Sequence, residues 1–138
     1  MKRIIVIASH HKLALGMADT LRYITNTDLE IITLAAYLDN TPVNQQIEKI
    51  MAKIPQTAET FIFTDMMAGS VNQGFEKYLD QDHTHLITGM NLPLIMAIAL
   101  DSSPEYLTTT AIENLISEAQ ASIIYVNNAK AEIDEDDE

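Results

Sequence analysis

Two imidazoles stand where an apolar run ends. In "RIIVIASHHKLALGM" the segment Ile4 to Ala8 gives way to Ser9, His10 and His11 before a helical pattern begins. A second apolar run, "TFIFTD", closes on a carboxylate, Asp65, and leads into the small-residue turn "MMAGS". A carboxylate beside a neutral imidazole holds one ring N–H, which fixes the tautomer and directs the other nitrogen's lone pair outward. Ala68, Gly69 and Ser70 supply a Gly-containing entry into a helix, where free backbone N–H groups and the helix dipole can receive an anion. An oriented nucleophile, its carboxylate and an anion cradle are together the parts needed for phosphoryl transfer to histidine. Taken singly, each has a plainer role: a strand-end aspartate serves turns, a half-buried histidine is satisfied by backbone, and "AGS" starts helices.

The elements that would bring these residues together follow from periodicity. "RIIVIAS" is a short β-branched run without alternation, the pattern of a strand buried on both faces. Leu13, Met17, Leu21 and Ile24 then recur at helical spacing. "LEIITLAAY" is a second strand, after which Thr41 and Pro42 read as the N-cap and first turn of a helix carrying Val43, Ile47, Ile50, Met51 and Ile54. "TFIFTD" is a third strand, and Ser70 with Gln73 forms a capping box for a helix through Val71, Phe75, Tyr78 and Leu79. "THLITG" is a fourth, followed by a buried helix in "NLPLIMAIAL" with Asn91 as its cap. A last helix is expected from Ser103 and Pro104, with Leu107, Ala111, Leu115 and Ala119 inward, and "SIIYVN" reads as a fifth strand. Alternating strands and helices predict an α/β, doubly wound, mainly parallel sheet with helices on both faces. In the order 2-1-3-4 the winding reverses between strands 1 and 3, and ligands of such folds bind outside the carboxyl ends there. Those ends are His10 and Asp65.

The rest of the chain narrows the chemistry. With no cysteine among 138 residues, thiol chemistry, disulfides and Cys-based metal sites are excluded. Twenty acids against 8 bases give a formal net charge of −12, which opposes binding to nucleic acid. Half of that excess lies in "EIDEDDE" at the C-terminus, which reads as a solvated tail. No apolar run approaches the roughly 18 residues that cross a bilayer, and the N-terminal run is too short for a signal peptide, so a cytoplasmic protein is expected. His83 and His85 sit two apart on one strand face but lack a third ligand, so no metal site is expected. His11 reads as a solvent-facing or helix-start residue, and Met67 as a loop side chain able to dock a partner.

At these residues the chain resembles the mannose-type IIA components of the bacterial phosphoenolpyruvate-dependent sugar phosphotransferase system. The resemblance rests on "IIVIASHH", similar to that family's strand ending in a small residue, Thr or Ser, His and Gly; on "FTDMMAGSVN", similar to its Asp, two variable residues, Gly-Gly-Ser-Pro and Asn; and on "TGMNLPLIM", similar to its Gly-x-Asn-Leu-Pro. It implies four parallel strands with an antiparallel fifth at the edge, one IIA-type domain over residues 1–130 followed by an acidic tail over 131–138, and a homodimer built through the fifth-strand region. It also implies a phosphoryl carrier that is charged by HPr and discharges to a IIB subunit, reaching the membrane only indirectly through IIC and IID subunits. His10 would be phosphorylated, Asp65 would orient it, and Ala68, Gly69 and Ser70 would bind the phosphoryl group, with no metal or small cofactor. His11, Met67 and Asn91 would be auxiliary or partner-docking residues. The chain departs from the family pattern at His11, where the family has Gly, and at Ala68 and Val71, where it has Gly and Pro. Two alternatives use the same residues: a flavodoxin-like receiver with Asp65 as the responsive group, which would need an acidic cluster where Ser9, His10 and His11 stand, and a IIA-like regulatory protein that binds partners without relaying phosphate.

Overall fold

The computed structural model describes residues 1–129, so the expected acidic tail lies outside the described residues. Strands β1 (Arg3–His10), β2 (Glu30–Ala36), β3 (Glu59–Thr64) and β4 (Thr84–Ile87) form one sheet in the order β2-β1-β3-β4, every pair parallel. Helices α1 (Leu13–Thr25), α2 (Val43–Ala52), α3 (Ser70–Phe75), α4 (Leu92–Ala99) and α5 (Thr109–Gln120) lie between and after the strands, and a single 3₁₀ turn, Glu76–Tyr78, extends α3. Among the described residues no helix is long and apolar enough to cross a membrane.

Strand β1 shows why an unbroken apolar run was needed. Ile4, Val6 and Ala8 face one layer, where they meet Ile47 and Met51 of α2 and Val71 and Phe75 of α3. Ile5 and Ile7 face the other, against Ala14, Ala18 and Leu21 of α1, Ile95 and Ile98 of α4, and Ile112 of α5. Both sides of the strand are therefore core, and each fully buried Ile contributes roughly 1.5–3 kcal/mol of transfer free energy. The cost of truncating one to Ala would be about 2–5 kcal/mol, because a cavity is left between two packed layers.

Helix α1 meets the sheet on a face rotated from the expected stripe. Ala14 and Ala18 are fully buried with Leu21, while Leu13 and Ile24 are exposed. Small side chains let the helix approach the sheet closely, and the larger apolar residues then fall at the margin of the contact. Ser9, buried at the end of β1, starts this helix from outside it: its Oγ accepts the Ala14 N–H at 2.7 Å and donates to the His11 carbonyl at 3.2 Å.

Four further expectations are corrected. The fifth strand is not formed. Residues 123–125 have no regular structure, 126–129 turn helically, and Ile123, Ile124, Tyr125 and Val126 are exposed. A β-prone run becomes a strand only where a sheet edge accepts its backbone hydrogen bonds, and neither β2 nor β4 of this chain does so. Helix α5 begins at Thr109 with Thr108 as its cap, not at Ser103. The preceding amides are taken elsewhere: Ser103 N–H by Asp101 Oδ1 at 2.9 Å, and Leu107 N–H by Oε2 of the buried Glu59 at 2.5 Å. Helix α2 is preceded by Pro42, and Thr41 makes no capping bond to it. The Ser70–Gln73 capping box is also absent; Gly69 occupies the N-cap of α3 and Ser70 turns its hydroxyl to Tyr37. Asn91, by contrast, does cap α4, accepting the Leu94 N–H at 3.0 Å.

Candidate active site

The site lies outside the carboxyl ends of β1 and β3, the two strands at which winding reverses. Their register pairs Ala8 with Thr64, so the next residues carry His10 and Asp65 past the sheet edge side by side. Asp65 Oδ2 accepts the backbone N–H of His10 at 2.8 Å and lies 2.8 Å from its ring Nδ1. The second oxygen, Oδ1, accepts the Met66 N–H at 3.0 Å. Burial works to raise the Asp65 pKa, but the His10 amide, the His10 ring and the Met66 amide together outweigh it and hold the carboxyl below its ordinary value. An ionised carboxylate can only accept, so Nδ1 carries a proton and, in the neutral ring, Nε2 presents a lone pair.

That lone pair faces the loop between β3 and α3. A Cβ placed on Gly69 would come within 2.5 Å of His10 Cε1 and 3.3 Å of Nε2, so the loop backbone abuts this edge of the imidazole. Gly69 has φ −84° and ψ 154°, an ordinary extended backbone. Glycine is needed there for close approach and not for a left-handed turn. Ala68 is not among the described residues with positive φ, so replacing the family's Gly at that position carries no backbone strain. His11 is different. Its φ of 56° lies in the left-handed region, which accounts for a Gly in the resembling family.

Two residues hold the site that the sequence had not singled out for it. Asn72 is buried behind the loop, where its Oδ1 accepts from Thr64 Oγ1 at 2.8 Å and its Nδ2 reaches the Met67 carbonyl at 3.5 Å. Tyr37, one residue beyond β2 and with φ 67°, stacks on His10 with ring centroids 5.6 Å apart and 20° between planes, and hydrogen-bonds Ser70 Oγ. The signal for Tyr37 was available in principle: pairing of His10 with Ala36 in the 2-1-3-4 order places residue 37 next to the imidazole. A cleft of about 420 Å³ opens beside Tyr37 and Ser70, walled by Asp39, Thr41 and Asn44.

The structure thus brings His10, Asp65, Gly69 and, through Tyr37, Ser70 into one cluster. Met67 is strongly exposed on the loop, and His11 is exposed on the β1–α1 turn. The side-chain hydrogen bonds of Asn91 are local, accepting the Leu94 N–H in the first turn of α4 and donating to the Gly89 carbonyl. His83 and His85 lie at the amino end of β4, where His83 stacks on Tyr106 and His85 meets the Phe61 ring at a tilt of 30°. The described residues include no group of three or more His, Asp or Glu placed to hold a metal ion. A cleft of about 520 Å³ near His83 and Tyr106 lies at this opposite end of the sheet, away from the imidazole–carboxylate pair.

Comparison with known proteins agrees with this architecture. A family model described as the phosphotransferase system fructose IIA component matches residues 4–115. A Klebsiella pneumoniae protein assigned to a phosphoenolpyruvate-dependent sugar phosphotransferase system as a permease superposes with a TM-score of 0.86 at 36% identity, covering 94% of each chain. Two more distant structures share the fold. A Streptococcus pneumoniae IIA protein associated with a fucose utilization operon has a TM-score of 0.76 at 20% identity, over 94% of this chain and 96% of that one. A mannose/sorbose-specific IIA subunit from Enterococcus faecalis has a TM-score of 0.71 at 16% identity, over 90% of this chain and 94% of the other. No curated protein sequence matches the chain significantly.

Proposed function

Because the chain belongs to the fructose and mannose-type IIA family of the bacterial sugar phosphotransferase system, we propose that it is a phosphoryl carrier that is charged on His10 by phospho-HPr and discharges to a IIB subunit during sugar uptake. The observation that carries this reading is the pairing of His10 Nδ1 with Asp65 Oδ2 at 2.8 Å, which leaves Nε2 free and facing the Gly69 loop. In the transfer, the P–N bond to the donor imidazole breaks and that imidazole keeps the bonding electrons, while the Nε2 lone pair forms the new P–N bond. The proton on Nδ1 stays where it is. The positive charge that develops on the ring is shared with Asp65, whose low pKa keeps it anionic. Backbone and hydroxyl donors at Ala68, Gly69 and Ser70 would stabilise the phosphoryl oxygens, and positioning of this kind supplies most of the catalysis of a loose phosphoryl transfer.

Asp65 is a poor candidate for the acceptor of a receiver module, since both of its oxygens are committed to His10 and Met66. Exposed Met67 and His11 belong, on this reading, to the rim where HPr and the IIB subunit alternate. Ile123, Ile124, Tyr125 and Val126 are the exposed apolar surface through which a homodimer would form. The protein would act in the cytoplasm and meet the membrane only through the IIC and IID subunits, with neither metal nor small cofactor. Incubation with enzyme I, HPr and labelled phosphoenolpyruvate tests the proposal. Acid-labile, hydroxylamine-stable label on His10 is expected; no label, or an acyl phosphate on Asp65, would refute it.

A further inference from the structure

Tyr37 touches both halves of the candidate site, and none of the roles described above uses it. Its ring lies along the His10 imidazole, its hydroxyl bonds Ser70 Oγ, and its backbone is held at φ 67° just past the end of β2. A non-glycine residue in the left-handed region persists only where its surroundings hold it there, and such residues concentrate at functional sites. From this geometry we propose that Tyr37 is a positioning residue for phosphoryl transfer, one that sets the hydroxyl of Ser70; the inference rests on the phosphoryl-carrier reading of His10.

The argument is one of donors. Ser70 has one proton, and an anion bound at the loop needs that proton directed toward it. In the proposed arrangement Tyr37 donates to Ser70 Oγ and Ser70 accepts. With its lone pair engaged, Ser70 Oγ can point its own proton toward a phosphoryl oxygen on Nε2. The Tyr37 ring also lies alongside the imidazole, with centroids 5.6 Å apart and 20° between planes. The α3 helix contributes only six residues, so the orientation of this side-chain donor bears directly on how the group is held.

Single-turnover transfer from phospho-HPr tests this in wild type, Tyr37→Phe, Ser70→Ala and the double variant. Phe keeps the ring, and at a half-exposed position it adopts the same backbone as Tyr, so circular dichroism should report a native fold and the thermal midpoint should fall by no more than the few degrees one lost hydrogen bond costs. The expected result is a maximal rate reduced roughly 10-fold in Tyr37→Phe, the scale of one lost hydrogen bond, with the half-saturating phospho-HPr concentration unchanged. The double variant should be no slower than Ser70→Ala within about twofold, because the phenol acts through the serine. A wild-type rate in Tyr37→Phe, or slowing that simply adds in the double variant, overturns the role of Tyr37 while leaving the carrier intact. Failure of the wild type itself to take up phosphate would instead overturn the carrier reading, and this inference with it.

Discussion

Asp65 Oδ2 receives two hydrogen bonds from His10, one from the backbone N–H and one from ring Nδ1, both at 2.8 Å. One oxygen thus ties the end of β1 to the end of β3 and fixes an imidazole tautomer at the same time. Replacement by Asn removes the charge and lets the amide hold the wrong tautomer, so Asp65→Asn should fold yet lower phosphoryl transfer by orders of magnitude. Unchanged transfer would remove Asp65 from the mechanism.

The same bonds make a pH prediction. The folded-state pKa of Asp65 lies below its ordinary value of 3.8. Its stabilisation is therefore complete above about that pH and is lost as pH falls through the lower native value. Denaturant unfolding should show wild type more stable than Asp65→Asn at neutral pH, with the gap closing as acid protonates the native carboxyl. A gap that stays constant from neutral pH to pH 2 would contradict this linkage.

His85 should act in the same direction but over a less acidic range. Burial lowers its pKa below 6.5, assisted by His83 and opposed by Glu59. The unfolded chain then takes up a proton more readily than the folded one, so stability is full above about 6.5 and declines as pH falls from there toward the native pKa. In His85→Leu that part of the decline should vanish in urea melts recorded between neutral and mildly acidic pH.

Gly69→Ala tests the fit of loop to imidazole. The added methyl would lie 2.5 Å from His10 Cε1, so either the ring or the loop must shift. Backbone strain is not expected, because φ is −84°. Circular dichroism should therefore report a native fold while labelling of His10 falls at least about 10-fold, the scale on which small misplacements act in positioned transfers. Wild-type labelling would show that the loop gives way without consequence.

What could be read from the chain, and what could not, follows from the range of the forces involved. Apolar runs marked the strands and helical spacing the helices between them, because burial on both faces of β1 demands an unbroken run; the order 2-1-3-4 does not follow from periodicity and entered as a condition, which the sheet meets. The meeting of His10 with Asp65 followed from that order. The same order sets Tyr37 beside the imidazole, but its left-handed backbone and its contact with Ser70 did not follow from it, since they depend on three elements converging. The delayed start of α5 was equally hidden: a buried carboxylate 48 residues earlier, Glu59, takes the Leu107 amide. "SIIYVN" has the composition of a strand, yet composition cannot supply the edge that a strand must pair with.

The adjacent imidazoles are the most direct test of the site. His10 ends β1 in an extended backbone, whereas His11 turns at φ 56° and donates its N–H to the Ala36 carbonyl at 2.8 Å. The turn sends the two side chains off different backbone conformations, and only His10 reaches Asp65. His10→Ala should abolish labelling. His11→Gly should keep it, with a rate within about 10-fold of wild type, as for loss of one peripheral hydrogen bond of about 1 kcal/mol. Relief of the left-handed backbone, worth about 1–2 kcal/mol, is partly offset by glycine's greater entropy loss of roughly 0.5–1 kcal/mol. His11→Gly should therefore be as stable as wild type or slightly more so in thermal melts. Label that survives in His10→Ala and disappears in His11→Gly would reverse the assignment, and with it the placement of every other group around Nε2.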